Sequence, residues 1–213
     1  MTTQSVALDG DVGVIRTKLT RAQIVGFWAA WSGWLLDGMD SVIYALVLAP
    51  ALTELLPRSG TAATPANVGF AGSVLFAVFL AGWGCAFLWG PIADKFGRTR
   101  ALAATILLYA VFTGLAAFSQ SVWQLGICRF LSGVGVGGEW AMAGTYVAEA
   151  WPEDRRKMGA GYLQTGYYFG FFAAAALNYT VGAHYGWRAM FLCGFIPVVV
   201  AALTLRKVQE PPR

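Results

Sequence analysis

Six largely apolar stretches, at about residues 24–48, 68–92, 101–118, 122–146, 158–181 and 187–205, dominate this chain. Each approaches or exceeds the roughly 20 residues that a helix needs to cross a bilayer. Backbone groups in hydrocarbon must bond within their own segment, and the strict alternation of a membrane barrel is missing, so the stretches are read as helices. Charged residues make up 12% of the chain against roughly 25% in soluble domains, too few to clothe a water-soluble surface. The expectation is an all-α membrane protein with six transmembrane helices.

The basic residues set a direction. Arg16, Lys18 and Arg21 precede the first stretch; Lys95, Arg98 and Arg100 separate the second and third; Arg155, Arg156 and Lys157 separate the fourth and fifth; Arg206, Lys207 and Arg213 follow the sixth. The alternate loops hold only Arg58 and Arg188, so the positive-inside rule predicts cytoplasmic N- and C-termini in a multi-pass protein of the plasma or bacterial inner membrane. The same clustering between apolar runs argues against nucleic acid as a partner of this +4 chain. Cys85, Cys128 and Cys193 lie in separate apolar runs without metal-ligand spacing and read as packing residues.

Four ionisable residues interrupt the apolar runs: Asp37 and Asp40 in the first, Arg129 and Glu139 in the fourth. A charge at the bilayer centre costs at least ~2.5 kcal/mol, so such groups line wet pathways or pair with one another. Asp37 and Asp40 are three residues apart and share a helix face.

Three motifs carry a family resemblance. After the second stretch stands Gly90-Pro91-Ile92-Ala93-Asp94-Lys95-Phe96-Gly97-Arg98-Thr99-Arg100, where Gly90 is expected to permit close helix packing, Gly97 a tight turn, and Asp94 a bond to a helix N-terminus or a guanidinium. The fourth holds Arg129-Phe130-Leu131-Ser132-Gly133-Val134-Gly135-Val136-Gly137-Gly138-Glu139, and Tyr146, Glu149, Pro152, Arg155 and Arg156 follow it. This set resembles the signature motifs of the major facilitator superfamily, here its N-terminal six-helix half. Leu36-Asp37-Gly38-Met39-Asp40, Gly138-Glu139-Trp140 and Gly186-Trp187-Arg188 are similar to the sialate and aromatic-acid proton symporters within it. Sugar porters usually carry proline where this chain has Gly144, and drug antiporters a glycine-proline motif that the fifth stretch lacks.

The resemblance implies one half, a 3+3 inverted repeat, of a two-half fold with the first and fourth helices as repeat mates lining a cavity. It implies residues 1–21 as a cytoplasmic tail, 22–206 as the six-helix bundle and 207–213 as the start of a central linker, the chain being truncated before a C-terminal six-helix half or completed by a second copy. It further implies gating at the cytoplasmic side by Gly90, Asp94, Gly97, Arg98, Glu149, Arg155 and Arg156.

Electrostatics suggests the site. The planar donor fork of Arg129 suits a carboxylate substrate, with Gln164 and Tyr168 of the fifth helix, on one face, as further binding candidates. Carboxyls withdrawn from water hold protons more readily, which makes Asp37, Asp40 and Glu139 the proton-coupling candidates. Arg129 is expected to pair with Asp40, or else with Asp37. His184 reads as a solvated turn residue. No catalytic cluster, metal site or cofactor is expected, only the proton gradient as energy source. The expected function is therefore proton-coupled uptake of a small organic anion, such as a sialate or aromatic acid, across the lipid bilayer. A sugar porter is the alternative, and a non-transporting sensor, binding protein or inactive half-fragment the second.

Overall fold

Thr20 opens the first helix by a reciprocal cap: its side chain accepts from the Gln23 backbone N–H at 3.3 Å while the Gln23 side chain accepts from the Thr20 N–H at 2.8 Å. The computed structural model describes residues 18–207. The expected tail up to residue 17 and the expected linker over 208–213 lie outside the described residues.

Helix α1 spans Arg21–Arg58, α2 Pro65–Gly84, α3 Trp89–Phe96, α4 Arg98–Ala116, α5 Val122–Ala150, α6 Glu153–Leu177, α7 Ala183–Leu192 and α8 Ile196–Lys207. Thr64 caps α2 with Pro65 in its first turn, and Ser121 caps α5. Two spans are interrupted for the same reason. The tight 3-10 turns Cys85–Leu88 and Cys193–Phe195 lie just before Pro91 and Pro197, whose missing N–H leaves the carbonyl four residues earlier without its helical partner. A widened turn over Asn178–Gly182 leads from α6 into α7, and Gly186, at φ +79°, breaks the chain between the fifth and sixth spans.

The first helix outruns its expected limit at residue 48. Its 38 residues make a rod of about 57 Å, well beyond the ~30 Å hydrocarbon layer, and Pro50 and Pro57 are absorbed without ending it. Three segments are long and apolar enough to cross a membrane by length and composition alone: Arg21–Arg58, Pro65–Phe96 and Arg98–Ala116. Helices α5 and α6 are long enough, at 29 and 25 residues, but α5 carries Arg129 and Glu139 within its length and α6 opens on the charged run from Glu153 to Lys157, and the sixth span is split into α7 and α8.

Packing follows the repeat. Helix α1 lies chiefly against α6, and α5 packs between α4 and α2, so that the first span rests on the fifth and the fourth on the second, the relation expected of an inverted repeat. Glycines bring these backbones together. A Cβ on Gly170 would stand 2.5 Å from the Met39 backbone nitrogen, and one on Gly135 would stand 2.6 Å from that of Tyr109. Gly90 departs from its expected role, since a Cβ there would meet open space.

Candidate functional site: a charged pair beside an aromatic cavity

All four ionisable residues of the apolar runs turn inward. Asp37, Asp40 and Arg129 are each 2% exposed and Glu139 is 0% exposed. Helices α1 and α5 supply them because the glycines of α5 admit close neighbours while the carboxylates of α1 point at its face.

Arg129 pairs with Asp40, with Nη1 3.6 Å from Oδ2. That separation is an ion pair beyond hydrogen-bond distance, and neither Nη1 nor Nε has a hydrogen-bond partner among the described residues. The guanidinium is clamped by two rings, its carbon 3.6 Å from the centre of Tyr44 and 4.3 Å from that of Phe79. Cation–π contacts reach about 2 kcal/mol when desolvated, so this sandwich fixes the plane of the donor fork. Thr113 and Ser132, 3.2 Å apart, face the same carboxylate.

Beside the pair opens a cavity of about 520 Å³. Arg129, Asp37 and Gln164 reach its wall; Asp40 and Glu139 are buried behind it. The rest of the wall is strongly aromatic, including Trp34, Trp83, Trp140 and Tyr167, and Trp34 stacks on Trp140 at 6.1 Å and 22°. The fifth span thus contributes Tyr167 to this wall. Tyr168, its expected binding residue, is 59% exposed and stands outside that lining. Chemically, the site offers a permanent cation with spare donors, a neighbouring carboxylate and flat apolar walls.

Sequence reasoning missed Tyr44, Phe79 and the tryptophan stack. Tyr44 lies one helical turn beyond Asp40 and so shares its face, a signal that was there to find. Phe79 and Trp140 come from other spans, and nothing in their spacing announces the contact.

The basic ends of the helices carry a second cluster. Gly97, at φ +98°, turns the chain from α3 into α4. Arg98 Nη2 then lies 3.1 Å from Asp94 and 3.2 Å from Glu149. Asp94 therefore takes a guanidinium, one of its two expected partners. Arg155 makes no ion pair among the described residues, and Arg156 instead donates from Nε to the Trp151 carbonyl at 3.0 Å. The other end of the bundle is fastened by Glu54, which accepts from Trp187 at 2.8 Å and pairs with Arg58 at 2.8 Å and Arg188 at 3.2 Å. His184 is exposed, as expected, but lies in the helical start of α7 ahead of the break at Gly186, Nδ1 2.9 Å from the Thr180 carbonyl.

The sequence profile of the Major Facilitator Superfamily matches residues 30–213. The chain belongs to this superfamily. Its members are membrane-embedded transporters rather than enzymes, and the chain holds one half of their fold. This superfamily chain is 35% identical over 189 residues to a protein of Cupriavidus pinatubonensis named a probable 4-methylmuconolactone transporter, covering 86% of this chain and 42% of that one. It is 32% identical over 180 residues to a sialic acid transporter of Escherichia coli, covering 84% and 42%. Among solved structures, the xylose transporter of Escherichia coli in a partially occluded inward-open conformation superposes with a TM-score of 0.78 at 21% identity, covering 91% of this chain and 50% of that one. That likeness concerns the fold alone. The chain spans well under two thirds of the length of the curated relatives it matches.

Proposed function

We propose that the complete protein is a secondary transporter that takes up a small organic anion with protons by alternating access. The observation that carries this reading is Arg129, paired with Asp40 yet short of hydrogen bonds, at the wall of an aromatic cavity. A substrate carboxylate competes for the free donors of the guanidinium, which bond two oxygens at once. Protonation of Asp40 or Asp37 releases Arg129 to hold the anion, and loss of that proton on the cytoplasmic side helps expel it. Gln164 lines the same cavity, and Tyr167 takes the binding role there in place of its neighbour Tyr168. No cofactor takes part beyond the proton gradient.

Relatives named for sialic acid, for 4-methylmuconolactone and, in Acinetobacter baylyi, for benzoate support an organic acid over a sugar. The aromatic walls favour a flat, conjugated acid among these. In this reading the basic ends and both termini face the cytoplasm of a cell membrane, the Asp94–Arg98–Glu149 cluster holds the outward-facing state, and the remaining half is a C-terminal six-helix unit or a second copy.

Uptake of radiolabelled small carboxylates by vesicles carrying the full-length gene product, with and without an imposed pH gradient, tests the proposal. Gradient-driven accumulation that Arg129→Gln abolishes is expected. Uptake indifferent to the gradient, or to Arg129, overturns it.

A further inference from the structure

Tyr109 belongs to α4, which contributes no described residue to the aromatic cavity, yet its hydroxyl is fully buried and has no hydrogen-bond partner among the described residues. A buried donor left without a partner costs roughly 1–3 kcal/mol, so its surroundings ask for explanation. On the same face of α4, Ile106 one turn earlier meets the space at Gly33 that Glu139 of α5 also fills, and Thr113 one turn later meets Ser132 of α5, so Tyr109 lies between the level of Glu139 and that of Asp40, the stretch of α1 that carries Asp37. Arg129 of α5 pairs with Asp40, Tyr44 of α1 lies over Arg129, and Tyr167 of α6 lines the cavity together with Asp37. These are the titratable and charged groups that face this interior.

Their levels along the helices form a series. Gly33 has no side chain, and the Glu139 carboxylate fills that space: a Cβ on Gly33 would stand 2.6 Å from Oε1. Asp37 follows four residues later on the same face of α1, about 6 Å along the axis from Gly33. Tyr109 packs on α5 at Gly135, between the levels of Arg129 and Glu139. Both Glu139 oxygens and Asp37 Oδ1 are, like the tyrosine hydroxyl, buried without a hydrogen-bond partner among the described residues. Asp37 reaches the cavity; Glu139 lies deeper, ten residues and therefore about 15 Å along α5 from Arg129 toward the basic end.

We propose that the Tyr109 hydroxyl is a proton relay between Asp37 at the cavity wall and Glu139 behind it, giving protons a route separate from the substrate's. In each transfer the phenol gives its own proton toward the Glu139 carboxylate while it accepts one from the Asp37 carboxylic acid, each over bound water, so no net charge develops on Tyr109. The proton then rests on a carboxyl that substrate does not touch. This inference rests on the proton-coupled reading above.

Tyr109→Phe removes only the oxygen and keeps the ring that fills the core. In vesicles carrying the full-length protein, proton-driven accumulation is expected to fall at least about tenfold, while counterflow exchange of substrate, which needs no net proton movement, falls far less. Glu139→Gln should do the same, and Tyr109→Phe added to it should have no further effect. Accumulation by Tyr109→Phe at the wild-type level, or independent multiplying effects of the two changes, overturns the relay. Wild-type uptake without proton dependence overturns instead the coupled reading on which it rests.

Discussion

Arg98 and Glu149 stand 3.2 Å apart and join the first residue of α4 to the last turn of α5 at the basic end of the bundle. Their side chains are 26% and 40% exposed, so water and salt screen the pair. Such contacts are worth about 0.2–1 kcal/mol, enough to tilt a two-state equilibrium by up to about fivefold without unfolding anything. In the full-length protein, Arg98→Ala and Glu149→Gln are each expected to raise the rate at which a thiol reagent labels a cysteine placed at Ala160, and the double variant should match the singles. Equal labelling in all forms would remove the latch.

The buried pair behaves differently. Removing one partner from a fully buried ion pair strands the other charge at a cost of about 3–5 kcal/mol. Arg129→Gln and Asp40→Asn should therefore each lower the melting temperature in detergent, and Arg129→Gln with Asp40→Asn should recover most of the loss. Arg129→Lys keeps the charge but not the planar fork between Tyr44 and Phe79, and binding of a carboxylate by isothermal calorimetry should weaken at least about tenfold.

Two glycines separate packing from everything else. Gly170 faces the backbone of α1 so closely that Gly170→Ala must push α1 and α6 apart, an overpacking cost of about 1–3 kcal/mol. Gly90→Ala meets open space in this half and should leave the melting temperature within about 0.5 kcal/mol of wild type. A transport defect in Gly90→Ala without loss of stability would place its close contact outside these six spans.

At the far end, Glu54 ties the extended tip of α1 to Trp187 and Arg188 and to its own Arg58. Glu54→Gln keeps an acceptor for Trp187 but loses the charge that two guanidinium groups share. A stability loss of about 1 kcal/mol is expected, shrinking as ionic strength rises and the Debye length falls below about 5 Å. Thermal melts at low and high salt measure it; a salt-independent loss would point to packing instead.

The spans and the inward charges were legible because both rest on one-dimensional facts. Residues 101–118 were expected as a helix and Arg98–Ala116 is one, since a bilayer accepts few alternatives to an apolar run of that length. The pairing of Arg129 with Asp40 rather than Asp37 followed from matching depths on two helices. Other features were hidden. The length of α1 beyond residue 48 depends on Glu54 and Arg58 finding partners in a distant turn, and Pro50 taken alone suggests an ending. Tyr168 and Tyr167 differ by one position, a rotation of ~100° on a helix, and only the seating of α6 on α1 decides which ring reaches the cavity. Arg155 and Arg98 are equally basic in the sequence, but only Arg98 lies where Asp94 and Glu149 meet.

The amino-acid order alone determined that this chain forms membrane-spanning helices with ionisable groups in the first and fourth, because the solvation cost of peptide groups and charges in hydrocarbon is set residue by residue. Tertiary structure alone decided that Arg129 would be sandwiched by Tyr44 and Phe79, that Glu139 would fill the space left by Gly33, and that Tyr109 would pack on Gly135. Those outcomes depend on the rotation and close approach of whole helices, which arise from many small contacts made together and from no residue singly.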